Sequence, residues 1–79
     1  MSRQEIFEKL NVIFRDIFDD DSIELQESTT AEDVDGWDSL VHITLIATVE
    51  EEFGIKFKMK DVVSMKNVGD MVTTIEREL

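Results

Sequence analysis

Ser39, set between Asp38 and Leu40, is the side chain whose position most invites chemistry. Asp38 reads as the N-cap of a helix and Ser39 as its first residue. Gly36 allows a sharp bend in the approach. A hydroxyl at that point stands at the positive end of a helix dipole, in front of backbone N–H groups without helical partners. A phosphodiester on such an oxygen is electrostatically favoured. Nucleophilic attack is the other chemistry open to a serine. His42 is the only histidine and lies three residues further along the same helix. No Gly-x-Ser-x-Gly elbow surrounds Ser39, and no second group is placed to orient the imidazole. Asp38, Ser39 and His42 are therefore not read as a hydrolase triad, and no catalytic residue is expected.

Acidic side chains offer a second possibility, metal binding. Asp19-Asp20-Asp21 and the acids around Asp33 are dense enough to raise it. A calcium loop needs acids at alternate positions, a glycine at the sixth and a glutamate at the twelfth. Starting from Asp19 or Asp33, those residues do not follow, so no metal site is expected. Between Asp16 and Ile55 there are 13 acids and no Lys or Arg, while the rest of the chain carries a small positive excess. The net charge is −11. Such a field repels nucleic acid and attracts basic protein patches. It also confers solubility, which charge alone does not separate from recognition.

The 79 residues make one domain, taken here as residues 1–79. With no cysteine there is no disulfide and no thiolate chemistry from the chain itself. No apolar run follows a basic start and none approaches membrane-spanning length, so a monomer in the cytoplasm is expected, without membrane insertion.

Four elements must position Ser39. Ser2 and Glu5 form a capping-box pattern that opens a helix of about 16 residues. Its apolar stripe is Ile6, Leu10, Ile13 and Ile17, widened by Phe7, Phe14 and Phe18, with Val12 off the face. Like charges at Asp19–Asp21 disfavour continuation at the negative helix end. Residues 22–37 form a long connection, tied down by Ile23, Leu25 and Val34, with a short capped turn from Thr30 to Asp33. The second helix spans Ser39 to Phe53, with Ile43, Ile46, Val49 and Phe53 as its buried face and Leu45 beside them. Gly54 reads as a left-handed stop. Glu50, Glu51 and Glu52 sit at the wrong end of the macrodipole, at a cost of ~1 kcal/mol together. That cost favours a recognition role for Glu50 and Glu51, read as an exposed pair.

Ile55–Met59 alternates like a strand but has no partner, so it reads as an extended linker with Ile55 and Phe57 inward. A short helix from Met59 to Ser64 is expected to bring Val62 and Val63 to the core. Asn67 and Asp70 open the last helix, whose apolar face is Val68, Met71, Val72 and Ile75, with Leu79 extending it. The fold class is all-α: three main helices and one short one, with a long loop between the first two.

Gly36-Trp37-Asp38-Ser39-Leu40 resembles the attachment motif of acyl carrier proteins and the related peptidyl carrier domains, whose signature Asp-Ser-Leu is matched by Asp38, Ser39 and Leu40. The resemblance continues through Glu50-Glu51-Glu52-Phe53-Gly54-Ile55 and Asn67-Val68-Gly69-Asp70, and so covers nearly the whole chain. It implies a free-standing four-helix carrier. Ser39 would receive 4'-phosphopantetheine from coenzyme A through a phosphopantetheinyl transferase. The thiol of that arm would hold acyl groups as thioesters, which explains a carrier without cysteine. Partners would be acyl-loading, acyl-transferring or condensing enzymes with basic docking surfaces, in fatty-acid, polyketide or related specialised biosynthesis.

The resemblance also distributes roles. Leu40 would be the apolar contact beside the arm. Trp37, Leu40, Val41, Thr44, Ala47, Glu50 and Glu51 would meet partners. Phe57, Val62 and Met65 would line a groove for the acyl chain. Val41 and Thr44 stand where carriers of the fatty-acid type usually have acids, and Lys56, Lys58, Lys60 and Lys66 make the following segment basic. Trp37 is closer to carriers of polyketide, nonribosomal-peptide or other specialised pathways. It either contacts partners or covers the helix start as a hydrophobic staple. Two other functions share these residues: a discrete peptidyl carrier, and an unmodified acidic helical module that binds a basic partner. Modification of Ser39 separates the second from a carrier.

Overall fold

The computed structural model describes residues 1–79 and contains four α-helices: α1 Arg3–Ile17, α2 Ser39–Phe53, α3 Met59–Ser64 and α4 Val68–Glu78. There is no strand, and a 3-10 turn spans Ala31–Asp33. The helix α1 packs against both α2 and α4.

The capping box opens α1 as its residues require. The Glu5 N–H donates to Ser2 Oγ at 3.1 Å and the Ser2 N–H to Glu5 Oε1 at 2.9 Å. Ile6, Leu10, Ile13 and Phe14 are buried, while Phe7, Ile17 and Phe18 are half-buried against the core and Val12 is exposed. The helix ends in a Schellman motif, with Asp19 at φ 51°. The Asp20 N–H reaches Arg15 O at 3.0 Å and the Asp19 N–H reaches Asp16 O at 3.4 Å. Aspartate is among the few residues other than glycine that tolerate this conformation. The stop is thus a backbone turn, where the charge pattern alone had pointed to repulsion.

The long connection is fixed at both ends of its course. Asn11 Oδ1 accepts from the Leu25 N–H at 2.8 Å, and Arg15 Nε donates to Ile23 O at 2.8 Å. Leu25 and Val34 are buried and Ile23 half-buried. Thr30 N–H donates to the Asp33 carboxylate at 2.9 Å across the 3-10 turn. The carbonyls of Thr29 and Glu27 accept from the N–H groups of Val68 at 2.8 Å and Gly69 at 3.0 Å. Those donors belong to the first turn of α4 and have no partner inside the helix. Gly69 allows this approach, because a Cβ there would lie 2.8 Å from Glu27 O.

Along α2, Leu45, Ile46, Val49 and Phe53 are buried, but Ile43 is 68 % exposed, contrary to the expected face. At 100° per residue, Ile43 falls roughly 100° from the centre of the face set by the other four. Gly54, at φ 67°, ends the helix in the left-handed conformation expected of it. Ile55 is buried and Phe57 half-buried.

In α3, Val62 is half-buried but Val63 is 75 % exposed, so only one of the expected pair turns inward. Consecutive helical residues point about 100° apart, and six residues present a single stripe. Asp61 takes the place beside Val62. It is buried, and Arg77 Nη2 of α4 donates to its Oδ2 at 2.8 Å. That pairing holds the Asp61 carboxyl below its usual range. In α4, Asn67 Oδ1 accepts from the Asp70 N–H at 2.8 Å, and Val68, Met71, Val72 and Ile75 are buried as expected. Leu79 does not extend that face but is exposed. No helix is long and apolar enough to cross a membrane.

Candidate functional site

Asp38 caps α2 with extended backbone, and its Oδ1 accepts from the Val41 N–H at 2.8 Å. Its carbonyl accepts from the His42 N–H at 2.8 Å. The N–H groups of Ser39 and Leu40 have no partner within the chain. Ser39 is the first helical residue, exposed, with its hydroxyl unengaged. Gly36, at φ 87°, turns the chain into this start.

Trp37 lies beneath the start of α2, half-buried. Its ring meets Phe14 edge-on at 5.2 Å between centroids and Phe18 at 6.2 Å. It also stacks on His42 at 5.9 Å and donates from Nε1 to His42 Nδ1 at 3.0 Å. Trp37 thus covers the helix start and packs it against α1. The bond from Trp37 requires a lone pair on His42 Nδ1, so the neutral imidazole carries its proton on Nε2. Partial burial pushes the His42 pKa below the ordinary histidine value. The pairing was not foreseen in the sequence. Its only signal there was the five-residue spacing across a cap.

Beside Ser39 opens a groove of about 440 Å³, lined by Ala31, Trp37, Asp38, Ser39, His42, Val62, Val63, Met65, Lys66, Asn67 and Met71. Val62 and Met65 stand where a groove was expected. Phe57 does not line it and packs instead with the hydrophobic core. On the outward side of α2, Leu40 is 76 % exposed, Thr44, Ala47 and Glu51 are exposed, and Val41 is half-buried. Glu50 departs from the expected exposed pair. It is half-buried, and its Oε2 accepts from the Phe57 N–H at 2.7 Å, pinning the segment after the helix. No three His, Cys, Asp or Glu side chains are grouped to hold a metal ion.

Comparison with known proteins assigns this arrangement. Residues 8–75 match the phosphopantetheine attachment site family. The acyl carrier protein of Thermotoga maritima is 36 % identical over 78 residues, spanning 99 % of this chain and 96 % of the relative. The chain belongs to the acyl carrier protein family. A second relative, the acyl carrier protein of Lactobacillus acidophilus, is 34 % identical over 77 residues, covering 96 % of this chain and 95 % of its own length. The fold also matches the solution NMR structure of the holo acyl carrier protein from Geobacter metallireducens. The TM-score is 0.86 with 43 % identity, over 91 % of this chain and 83 % of that one. As a carrier of this family it bears a phosphopantetheine arm, delivers acyl groups as thioesters and is not itself a catalyst. Its partners are a phosphopantetheinyl transferase and acyl-processing enzymes. The start of α2 fits such a group: a free hydroxyl, two unpaired N–H groups for a phosphate, and an adjoining groove.

Proposed function

We propose that Ser39 is the attachment residue and that the start of α2, with its outward face, is where the modifying and acyl-processing enzymes dock. The observation that carries this reading is the Ser39 hydroxyl, exposed and unengaged at the first position of α2, with free N–H groups beside it. The phosphodiester formed there is anionic, and the helix dipole and those N–H groups favour it. When attached, the arm supplies the thiol that holds an acyl group. Asp38 holds the helix start in place through Val41, and Trp37 fixes it against α1, so the hydroxyl is presented on a rigid element. Leu40, Thr44, Ala47 and Glu51 form the exposed surface that leads away from Ser39, with Val41 half-buried beside them. The carrier works in the cytoplasm on this reading. Acyl groups are preferred to aminoacyl cargo because the curated relatives are acyl carrier proteins.

The test is intact-protein mass spectrometry after incubation with coenzyme A and a broad-specificity phosphopantetheinyl transferase. The wild type gains the mass of one arm and Ser39→Ala gains none. The alanine variant keeps its fold, since Asp38 supplies the cap. An arm found on the alanine variant, or no gain on the wild type with several transferases, rejects the assignment.

A further inference from the structure

The imidazole of His42 is fixed at one nitrogen and open at the other. Trp37, itself packed on Phe14 and Phe18, donates to Nδ1 at 3.0 Å. That bond consumes the Nδ1 lone pair and places the proton on Nε2, where it has no partner in the chain. The bond also shows which way the ring leans. A helical side chain covers the turn N-terminal to its own Cα, and the tie to Trp37, ahead of the Asp38 cap, draws the ring back over the first turn of α2. Ser39 and His42 are three residues apart, neighbours on a helix surface, and both line the groove beside the helix start. The only charged groups lining that groove are Asp38 and Lys66. Asp38 is held through Oδ1 by the Val41 N–H and makes no bond to the imidazole, and Lys66 is exposed. A fixed N–H without an acceptor, on a half-buried ring, favours an anion that brings one. A hydrogen bond to an ionised oxygen is about twice as strong as one between neutral groups.

We propose that His42 is a positioning residue for the arm: once Ser39 is loaded, the His42 Nε2–H donates to an oxygen of the phosphodiester. The proposal rests on Ser39 as the attachment residue. The N–H groups of Ser39 and Leu40 meet the anion from the helix end, and the imidazole meets it from the side. Contact from two directions sets the line along which the arm leaves the protein, where the helix end alone would let the phosphate turn. Trp37 contributes by holding the tautomer that donates.

The test follows the full chain by nuclear magnetic resonance before and after loading from coenzyme A, with mass spectrometry confirming one arm. His42 is the only histidine, so its imidazole signals need no assignment. Loading is expected to raise the His42 pKa by about one unit, because an anion beside the ring favours its charged form. Asp38 and Lys66 are present in both states, so the change reports the arm alone. The Nε2 proton of the loaded protein should exchange slowly enough with water to be seen, and should correlate with the phosphorus nucleus. His42→Gln offers an oxygen to Trp37 and an N–H to the phosphodiester, and is expected to keep the phosphorus shift and relaxation of the wild type. His42→Phe offers neither, and should move the shift and loosen the phosphate. A His42 pKa unchanged by loading, no correlation between the imidazole proton and phosphorus, or wild-type phosphorus signals in His42→Phe overturns the proposal. Failure of the wild type to gain an arm instead rejects Ser39 as the attachment residue, a result visible in the mass alone.

Discussion

His42 is the residue whose protonation the fold most directly opposes. It accepts from Trp37 at 3.0 Å, and an imidazolium has no lone pair to accept with. Partial burial lowers the folded pKa below the ordinary value. The sign follows from linkage. A histidine with a depressed folded pKa binds protons more readily when unfolded, so its contribution to stability is present above the unfolded value and is lost as pH falls through the folded one. His42→Gln supplies an amide oxygen for the Trp37 N–H but does not titrate. The stability of the wild type relative to His42→Gln is expected to fall as pH drops from about 7.5 towards 5, a window set by the ordinary histidine value. Urea unfolding followed by Trp37 fluorescence measures it. A constant difference across that range shows that the imidazole is not held neutral by the fold.

The end of α2 shows how one helix turn divides its acids between packing and surface. Glu50 is half-buried on the Phe57 N–H, while Glu51 stands free in solvent. Charge reversal at the two positions should therefore have different consequences. Glu51→Lys should leave stability within about 0.5 kcal/mol and slow association with a basic-faced partner enzyme, an effect that fades as salt rises. Glu50→Lys should lower stability by about 1–3 kcal/mol, since it leaves a half-buried N–H without its acceptor. Stopped-flow association at two ionic strengths, alongside urea unfolding, separates the two, and equal loss of stability at both positions contradicts the division. The sequence could not make this distinction, because Glu50 and Glu51 are adjacent and identical in type. What could be read from it were features with short-range causes: the Ser2–Glu5 capping box, the Asp38 and Asn67 caps, the Gly54 stop and the stripe on α1. The features that escaped it depend on which segments meet. Asp61 with Arg77, Asn11 with Leu25, and Gly69 against Glu27 each join positions far apart in the chain. Val63 and Ile43 were misplaced for a related reason. A two-turn helix and the edge of an apolar face leave the phase of burial to the neighbouring elements.

The charge of the whole chain acts over distances comparable with the molecule itself. The protein measures 27 × 24 × 22 Å, and at about 0.01 M salt the Debye length is ~30 Å. Every acid between Asp16 and Glu52 then feels most of the others, with no Lys or Arg in that segment to offset them. Two clusters oppose this repulsion. Arg3 bridges Glu27 of the connection at 2.6 Å and Glu76 of α4, with a further bond to Gly69 O at 3.1 Å, and Arg77 bridges Asp61 at 2.8 Å. Salt weakens both the repulsion and the bridges, so the sign of its effect depends on their sizes. Exposed pairs contribute about 0.2–1 kcal/mol each. A pair of like charges 10 Å apart at an effective dielectric of 80 repels by about 0.4 kcal/mol, and 13 acids make many such pairs. Repulsion therefore outweighs the bridges, and raising salt from about 0.01 to 0.3 M, where the Debye length falls below 10 Å, should raise the thermal midpoint. Arg3→Met should lower the midpoint at both ends of that range, and more at low salt, because it breaks the bridges and also deepens the net charge. Thermal unfolding of both proteins across a sodium chloride series measures this. A midpoint that falls with salt in the wild type would mean that the few bridges, and not the acidic field, dominate the electrostatics of the fold.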